Sequence, residues 1–520
     1  MTAGVRRERV VVVGAGVAGL SAAVSLASAG HDVHVVERAG APGGKMRQVE
    51  VGGTPVDAGP TVFTMKWAFD RLMAQAGTTL EAEVGLTRAG TLARHGWGDG
   101  SRLDLFADAN ASAAAIEQFA GPREAEGYRR FCKESAAVFA TLKDTYIAAE
   151  RPDPVTLARR VGMGNLSQML ALKPFSTLWS ALGAYFRDPR LRQLFARYAT
   201  YCGSSPFQAP ATLMLVAHVE QDGVWLIEGG MHALACALAE VAGRQGARID
   251  CGRAVTRIET GANGVCAVHL ADGERLAADA VIFNGDFSAL ASGRVEGVDL
   301  GEAPVKPSER SLSAMTWAVK AEVRGFPLAR HTVLFSDAYR REFDEIFRKG
   351  RVPADPTVYL CAQGRDDAGA RTRDAVDDPR DAFLCLINAP ALGDRAPHTS
   401  SESATCLEAA VRRMARCGLA LESATMESVA TTPADFERMF PGSGGALYGR
   451  ASHGWMASFR RPGARTRIPG LYLAGGSVHP GPGVPMASLS GQLAAASLVA
   501  DRASTRRFHR VAISGGTSTA

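Results

Sequence analysis

Apolar positions near the start of the chain change pattern three times. Val10-Val11-Val12-Val13 is an unbroken β-branched run, the pattern of a strand buried on both faces. Gly14-Ala15-Gly16-Val17-Ala18-Gly19 follows, then a stretch rich in Ala, Ser and Leu from Leu20 to about Ala29 that Gly30 stops, then His31 to Val36, ending at Glu37. Small residues with a glycine stop predict a helix for the middle stretch, so the whole reads as a βαβ unit in about thirty residues.

Met231 to Gln245 is apolar with helical period and is stopped by Gly246, while Ala247 to Cys251, Ala254 to Thr260 and Val265 to Leu270 predict strands. The turn Ala271-Asp272-Gly273-Glu274 returns the chain through Arg275 to Asp279 into Ala280-Val281-Ile282-Phe283. That run ends at Asn284-Gly285-Asp286 and predicts another strand of the first sheet, delivering a loop to the same edge. Further on, Gly470 to Gly476 predicts a strand closed by a glycine turn, and Pro485 begins a helix to about Val499. The polar, small-residue stretch beyond Arg502 predicts a disordered tail.

The pattern is that of an α/β protein whose nucleotide-binding part is assembled from residues 1–86, 225–288 and 453–502. Residues 87–224 and 289–452 are too long for loops and read as substrate-domain material, with 503–520 as the tail. Two stretches imitate membrane spans. Val10 to Gly30 holds 21 uncharged residues, but the three glycines inside it suit a strand, turn and helix better. Ile468 to Ala500 is broken by Pro469, Pro480, Pro482 and Pro485. Arg6-Arg7 is similar to a twin-arginine export signal, yet the apolar segment behind it carries the glycine pattern and no convincing cleavage site, so a cytoplasmic protein is expected.

Charge and cysteine usage narrow the classes. Lys+Arg number 58 against 53 Asp+Glu, a net +5 too dilute to argue for nucleic acid, and no nucleic-acid-binding signature is present. The nine cysteines have neither Cys-x-x-Cys spacing nor a Cys/His cluster, which predicts reduced thiols and no metal site.

Chemistry concentrates at the first turn. Glycines at 14, 16 and 19 let the backbone, with Ala15 and Ala18, turn tightly, approach a pyrophosphate without Cβ interference and aim helix N-terminal amides at it. Glu37, 23 residues after Gly14, stands where an acid accepts hydrogen bonds from a ribose diol. The bland alternative is a glycine turn with an incidental acid. Strand context, glycines and acid together point instead to a dinucleotide.

Pro42-Gly43-Gly44-Lys45 and Asp57-Ala58-Gly59-Pro60-Thr61 follow soon after. Glu37-Arg38 through Gly44-Lys45 resembles the extended flavin fingerprint of the amine oxidase and carotenoid desaturase superfamily, which implies FAD rather than NAD. The turn Ala474-Gly475-Gly476-Ser477 and the helix opening at Pro485-Met486 are similar to the part of that superfamily where the C-terminal helix meets the flavin pyrimidine. A helix N-terminus with free amides stabilises negative charge developing at N1 and C2=O2 of the reduced ring. Many relatives carry an acid where this chain has Gly476. The resemblance implies FAD contacts at Gly14, Ala15, Gly16, Ala18, Gly19, Glu37, Arg38, Gly44, Lys45, Gly59, Pro60, Thr61, Val255, Gly475, Gly476, Pro485 and Met486.

It covers nearly the whole chain. The motifs above, with Gly223-Val224-Trp225-Leu226-Ile227-Glu228-Gly229-Gly230-Met231, His331-Thr332-Val333-Leu334-Phe335 and Leu471 to Pro485, are similar in order to bacterial phytoene desaturase-type carotenoid oxidoreductases. Thr61 to Trp67 and Tyr201 to Phe207 most resemble the hydroxyneurosporene (methoxyneurosporene) desaturases, which act on 1-hydroxy acyclic carotenoids at C3–C4. The implied fold is a Rossmann-like FAD-binding domain of the amine oxidase/carotenoid desaturase type with an α+β substrate domain formed by insertions.

For such a substrate, C4 is allylic to the polyene. Hydride loss to flavin N5 leaves a cation spread over the conjugated chain, and proton loss from C3 completes the double bond. The protein must then mainly align C4 and exclude water, and a strong base is unnecessary. No acid or base is assigned: Lys143, Asp144, Glu220 and Glu228 read as solvated or ion-paired, and His479 as equally a structural group or a polar contact beside the flavin.

A carotenoid is nearly insoluble, so a membrane surface is an expected partner, with oxygen or a quinone as electron acceptor and peripheral attachment to an inner or photosynthetic membrane. Leu157 to Tyr198 carries seven basic residues (Arg159, Arg160, Lys173, Arg187, Arg190, Arg192, Arg197) against Asp188 alone. Within it Phe175, Leu178, Trp179, Leu182, Tyr185 and Phe186 behind Pro174 predict an amphipathic helix, facing either the core or a membrane. The alternatives are a general phytoene-type desaturase, a flavin amine oxidase, and a prenyl-binding escort protein without catalysis.

Overall fold

The computed structural model describes residues 7–162, 172–173, 175–372, 378–395 and 399–509. Its first sheet is five-stranded, with Leu471–Leu473, Ala280–Phe283, Arg9–Val13, Asp32–Val36 and Arg248–Asp250 side by side, every neighbouring pair parallel. Val13 lies opposite both Val36 and Phe283, and Phe283 opposite Leu473. The residues that come next, Gly14, Glu37, Asn284 and Ala474, therefore emerge in one line at the carboxyl edge, where open α/β sheets bind ligands.

The helix Val17–Ser28 owes its small residues to its neighbour, the final helix Val484–His509. A Cβ on Gly491 would sit 2.0 Å from Ala18 O, and Ser21 Oγ meets Ser488 Oγ at 2.8 Å. The final helix begins one residue before Pro485 and runs to His509, past the predicted end near Val499. That corrects the tail expected beyond Arg502: residues 503–509 are helical, and 510–520 lie outside the described residues.

The second sheet has seven strands in the order Glu427–Thr431, Ser313–Ala321, Asp381–Ala389, Val358–Ala362, His331–Leu334, Thr91–Gly96 and Arg102–Phe106. All pairs are antiparallel except His331–Leu334 with Thr91–Gly96. Alternation gives it two faces. Trp317, Leu360, Phe383 and Cys385 pack against Ala410 and Met414 of the helix Ser400–Arg416. On the opposite face Thr316, Leu386, Tyr359 and Val333 stand in one register row across four strands. The α+β substrate domain implied by the resemblance corresponds to this sheet with its helices. The hairpin Gln48–Val51 and Thr54–Asp57 packs against it, with Lys320 Nζ donating to Thr54 Oγ1 at 2.8 Å.

The amphipathic helix predicted behind Pro174 is corrected. Pro174 itself lies outside the described residues, and helix is confined to Leu178–Leu182 before Gly183. Leu178, Leu182, Tyr185 and Phe186 are buried, and Phe186 stacks on Phe195 at 4.6 Å and meets Phe131 at 5.6 Å. The aromatic face belongs to the core. Phe175 alone points outward, 83% exposed.

Candidate functional site

One cavity of about 1680 Å³ runs from the carboxyl edge of the parallel sheet to the face of the second sheet that carries Thr316, Leu386, Tyr359 and Val333. It exceeds the ~300–1,000 Å³ of a site for a single drug-sized ligand, leaving space for a dinucleotide and a long second molecule.

At the sheet edge the turn after the first strand is built by exclusion. Gly14 has φ +101°, and a Cβ on Gly16 would lie 2.8 Å from Asn284 Nδ2. On Gly19 it would lie 2.0 Å from Gly14 O, so the turn closes only without a side chain there. Asn284 Nδ2 donates to Gly14 O at 3.2 Å, pinning the turn from the neighbouring strand. The first amides of the helix behind it have no intrahelical acceptor and face the cavity wall at Gly16, Val17 and Ala18. Glu37 is buried, its two carboxylate oxygens accepting from Ala15 N and Ala39 N at 2.7 Å each. A carboxylate has about four acceptor positions, so it retains room for a diol.

Most of the residues singled out in the sequence meet at this wall: Gly14, Gly16, Ala18, Glu37, Arg38, Gly44, Lys45, Gly59, Pro60, Thr61, Val255, Gly475, Gly476, Pro485 and Met486 all line it. Ala15 and Gly19 do not; they shape the turn from behind. Arg38 is exposed and donates to Arg438 O at 3.0 Å. Lys45 Nζ donates to Leu447 O at 2.7 Å, and burial pushes its ammonium below the usual lysine range, with Asp286 opposing.

Asn284 and Arg461 also line the cavity, and motif reading missed both. Arg461 is buried and gives Nη1 to Tyr448 O at 3.0 Å and Gly476 O at 3.1 Å, and Nη2 to Arg450 O at 2.6 Å. The strand reading ending at Asn284-Gly285-Asp286 held a usable signal. Arg461 sits in irregular chain and had none.

His479 is buried away from the cavity wall, with Nε2 against Ala149 O at 2.9 Å and its ring 4.7 Å from Tyr146, which makes it a structural group. Lys143 lies over Trp67 at 4.9 Å. Burial pushes His453 and His479 down to about 4, and His95 and His331 down to about 3. His453 Nε2 accepts from Ser205 N at 2.9 Å, a bond that protonation breaks. With folded values below the unfolded ~6.5, the unfolded chain takes up protons first, so this stability is present above about pH 6.5 and lost as pH falls towards 4. Urea midpoints should therefore drop across that window, and His453→Gln should flatten part of the slope; a wild-type midpoint constant from pH 7 to 4 would contradict this.

The cavity leaves the second sheet through an apolar mouth. Leu157, Val161, Leu172, Phe175 and Trp455 line it, with Phe175 and Trp455 edge-to-face at 5.8 Å. Among the described residues no helix is long and apolar enough to cross a membrane.

Residues 17–499 match the model of the flavin containing amine oxidoreductase family, and the chain belongs to that family. The cofactor is FAD. Over 99% of this chain and 97% of the relative, it is 51% identical to hydroxyneurosporene desaturase of Rubrivivax gelatinosus. It is 30% identical to 1-hydroxycarotenoid 3,4-desaturase of a Flavobacterium species, covering 94% of this chain and 98% of the relative. Among solved structures, putrescine oxidase bound to putrescine shares the fold at TM-score 0.59 and 15% identity, covering 95% of this chain and 99% of that one.

Proposed function

We propose that the protein is an FAD-dependent desaturase that introduces the C3–C4 double bond into acyclic 1-hydroxycarotenoids. The observation that carries this is the single continuous cavity joining a dinucleotide cradle to a long apolar slot, in a chain half identical to hydroxyneurosporene desaturase over its full length. The turn Gly14–Gly19 takes the pyrophosphate on the helix amides, Glu37 takes the adenosine ribose, and the N-terminus of Val484–His509 with Gly475 and Gly476 takes the pyrimidine edge. FAD supplies the two-electron acceptor. The chain's own residues place the polyene and exclude water: Leu386, Val333 and Tyr359 form the slot's floor.

The substrate enters from a membrane surface. Phe175 and Trp455, 83% and 46% exposed, line the mouth, and Val155, 59% exposed, and Arg159 stand outward on the helix Pro154–Val161 that also supplies Leu157 and Val161 to the lining. Apolar rings beside cations suit an interfacial contact with anionic lipid. Replacing Phe175 and Trp455 with Ser should weaken binding to anionic vesicles by about tenfold or more, since each buried ring contributes roughly 1.5–3 kcal/mol. Turnover of detergent-dispersed substrate should be spared; unchanged vesicle binding in a sedimentation assay would refute the docking site.

Reconstitution with FAD in liposomes, offering 1-hydroxyneurosporene, phytoene and simple amines with oxygen or a quinone as acceptor, tests the activity. Conversion of the hydroxylated carotenoid to its 3,4-didehydro product is expected. Turnover of phytoene or an amine alone would overturn the assignment.

A further inference from the structure

The slot is apolar along most of its length, and the buried cation Arg197 stands in its wall. Arg197 is one of the seven basic residues counted in Leu157 to Tyr198, the stretch read as facing either the core or a membrane. It is 8% exposed and lines the cavity with Thr200 and Tyr201.

Its hydrogen bonding is incomplete. A guanidinium has five N–H donors and does not deprotonate in proteins. Among the described residues the Arg197 side chain makes one long bond, Nη2 to Tyr201 Oη at 3.5 Å, and its buried Nε has no partner. Its guanidinium lies beside two rings, Tyr201 at 5.2 Å and Tyr198 at 5.8 Å. The carboxylate that balances the charge is held apart: Tyr198 donates to Glu220 Oε2 at 2.6 Å, and the Tyr201 hydroxyl donates to Oε1. With both tyrosine protons committed to Glu220, Arg197 keeps its donors for whatever fills the slot.

Four other polar groups on the floor already have partners. Thr357 Oγ1 and Asn388 Nδ2 donate to the buried Glu342 at 2.7 and 3.3 Å. Thr61 and Tyr359 bond each other at 2.6 Å, and Tyr359 also meets His331 Nδ1 at 2.8 Å.

A hydrocarbon entering the slot displaces water from Arg197 and leaves its donors unmet, whereas a molecule bearing one oxygen at that position satisfies them. Resting on the desaturase reading above, we propose that Arg197, steadied by Tyr201 and Glu220, is the specificity-determining residue that donates to the hydroxyl oxygen at the functionalised end of the carotenoid and rejects the hydrocarbon lacking it. A site built to hydrogen-bond a hydroxyl discriminates strongly against the analogue without one, because its buried donors are otherwise left unpaired.

The test compares FAD-loaded full-length wild type with Arg197→Met, Arg197→Lys and Tyr201→Phe on 1-hydroxyneurosporene and on neurosporene. Both kcat and KM are measured, together with equilibrium binding of each carotenoid by quenching of tryptophan fluorescence. Arg197→Met should lower the kcat/KM ratio of hydroxylated to plain substrate at least tenfold, on the order of one charge-assisted hydrogen bond. The loss should fall mainly in KM and in binding of the alcohol, with neurosporene binding equal or tighter. Arg197→Lys, which still donates, should restore part of the preference, and Tyr201→Phe should erode it less than Arg197→Met. An unchanged ratio in Arg197→Met overturns the inference; should that variant fail to retain FAD, an unchanged ratio in both Arg197→Lys and Tyr201→Phe does so. A wild type that binds and converts neither carotenoid overturns the desaturase reading, and this inference with it.

Discussion

Glu37→Ala should purify without flavin colour and bind FAD at least a hundredfold more weakly than wild type in a fluorescence-quenching titration. The carboxylate does two jobs at once. It ties the glycine turn to the second strand through Ala15 N and Ala39 N, and its remaining acceptor positions face the cavity. Each buried amide left without a partner costs roughly 1–3 kcal/mol, and each lost hydrogen bond from a ligand to a charged group roughly 1.5–3 kcal/mol. A hundredfold change in Kd corresponds to about 2.7 kcal/mol. Because the strands beneath are held by their own apolar faces, the secondary structure by circular dichroism should survive. Unaltered FAD affinity in this variant would mean that the dinucleotide lies elsewhere.

Arg461→Met should release FAD at a markedly lower temperature in a thermal scan of flavin fluorescence, and lower kcat as well. The guanidinium gathers three carbonyls, from Tyr448, Arg450 and Gly476, and so joins the substrate-domain segment to the turn at the flavin end. Met fills the space without donating, leaving those acceptors buried and unpaired at a total of about 3–5 kcal/mol. The neighbouring Arg460, with a side chain 60% exposed, serves as the control: Arg460→Met should change stability by less than about 0.5 kcal/mol. Equal effects of the two variants would contradict the role given to Arg461.

How much of this could be read in the chain follows from where local pattern and tertiary context agree. The strands Arg9–Val13 and Ala280–Phe283 were legible because a parallel strand buried on both faces needs an unbroken apolar run, and glycine had to follow for the turn to close. The second sheet's order was not legible. Its only parallel pair joins Thr332 to Arg94, a pairing between segments that nothing local specifies. The aromatic stretch after Pro174 misled because the same period serves a core and a membrane surface. Rings from Phe131, 55 residues before Phe186, and from Phe195 on the next helix decided between them.

Site residues divide in the same way. Gly14, Gly16 and Glu37 were legible because backbone approach and diol recognition require particular residue types at fixed spacing. Asn284, Arg461 and Arg197 act through contacts that only folding creates. Arg197 shows the limit most clearly: in the sequence it is one of seven basic residues and nothing sets it apart, whereas folding buries it beside Tyr201 and Glu220.

Anaerobic mixing of the FAD-loaded protein with stoichiometric 1-hydroxyneurosporene in liposomes addresses the central assignment most directly. Bleaching of the oxidised flavin band, matched one for one by a carotenoid whose absorption moves to longer wavelength through one added conjugated double bond, is the predicted result. A flavin that stays oxidised with that carotenoid, while phytoene or an amine reduces it, would contradict the account.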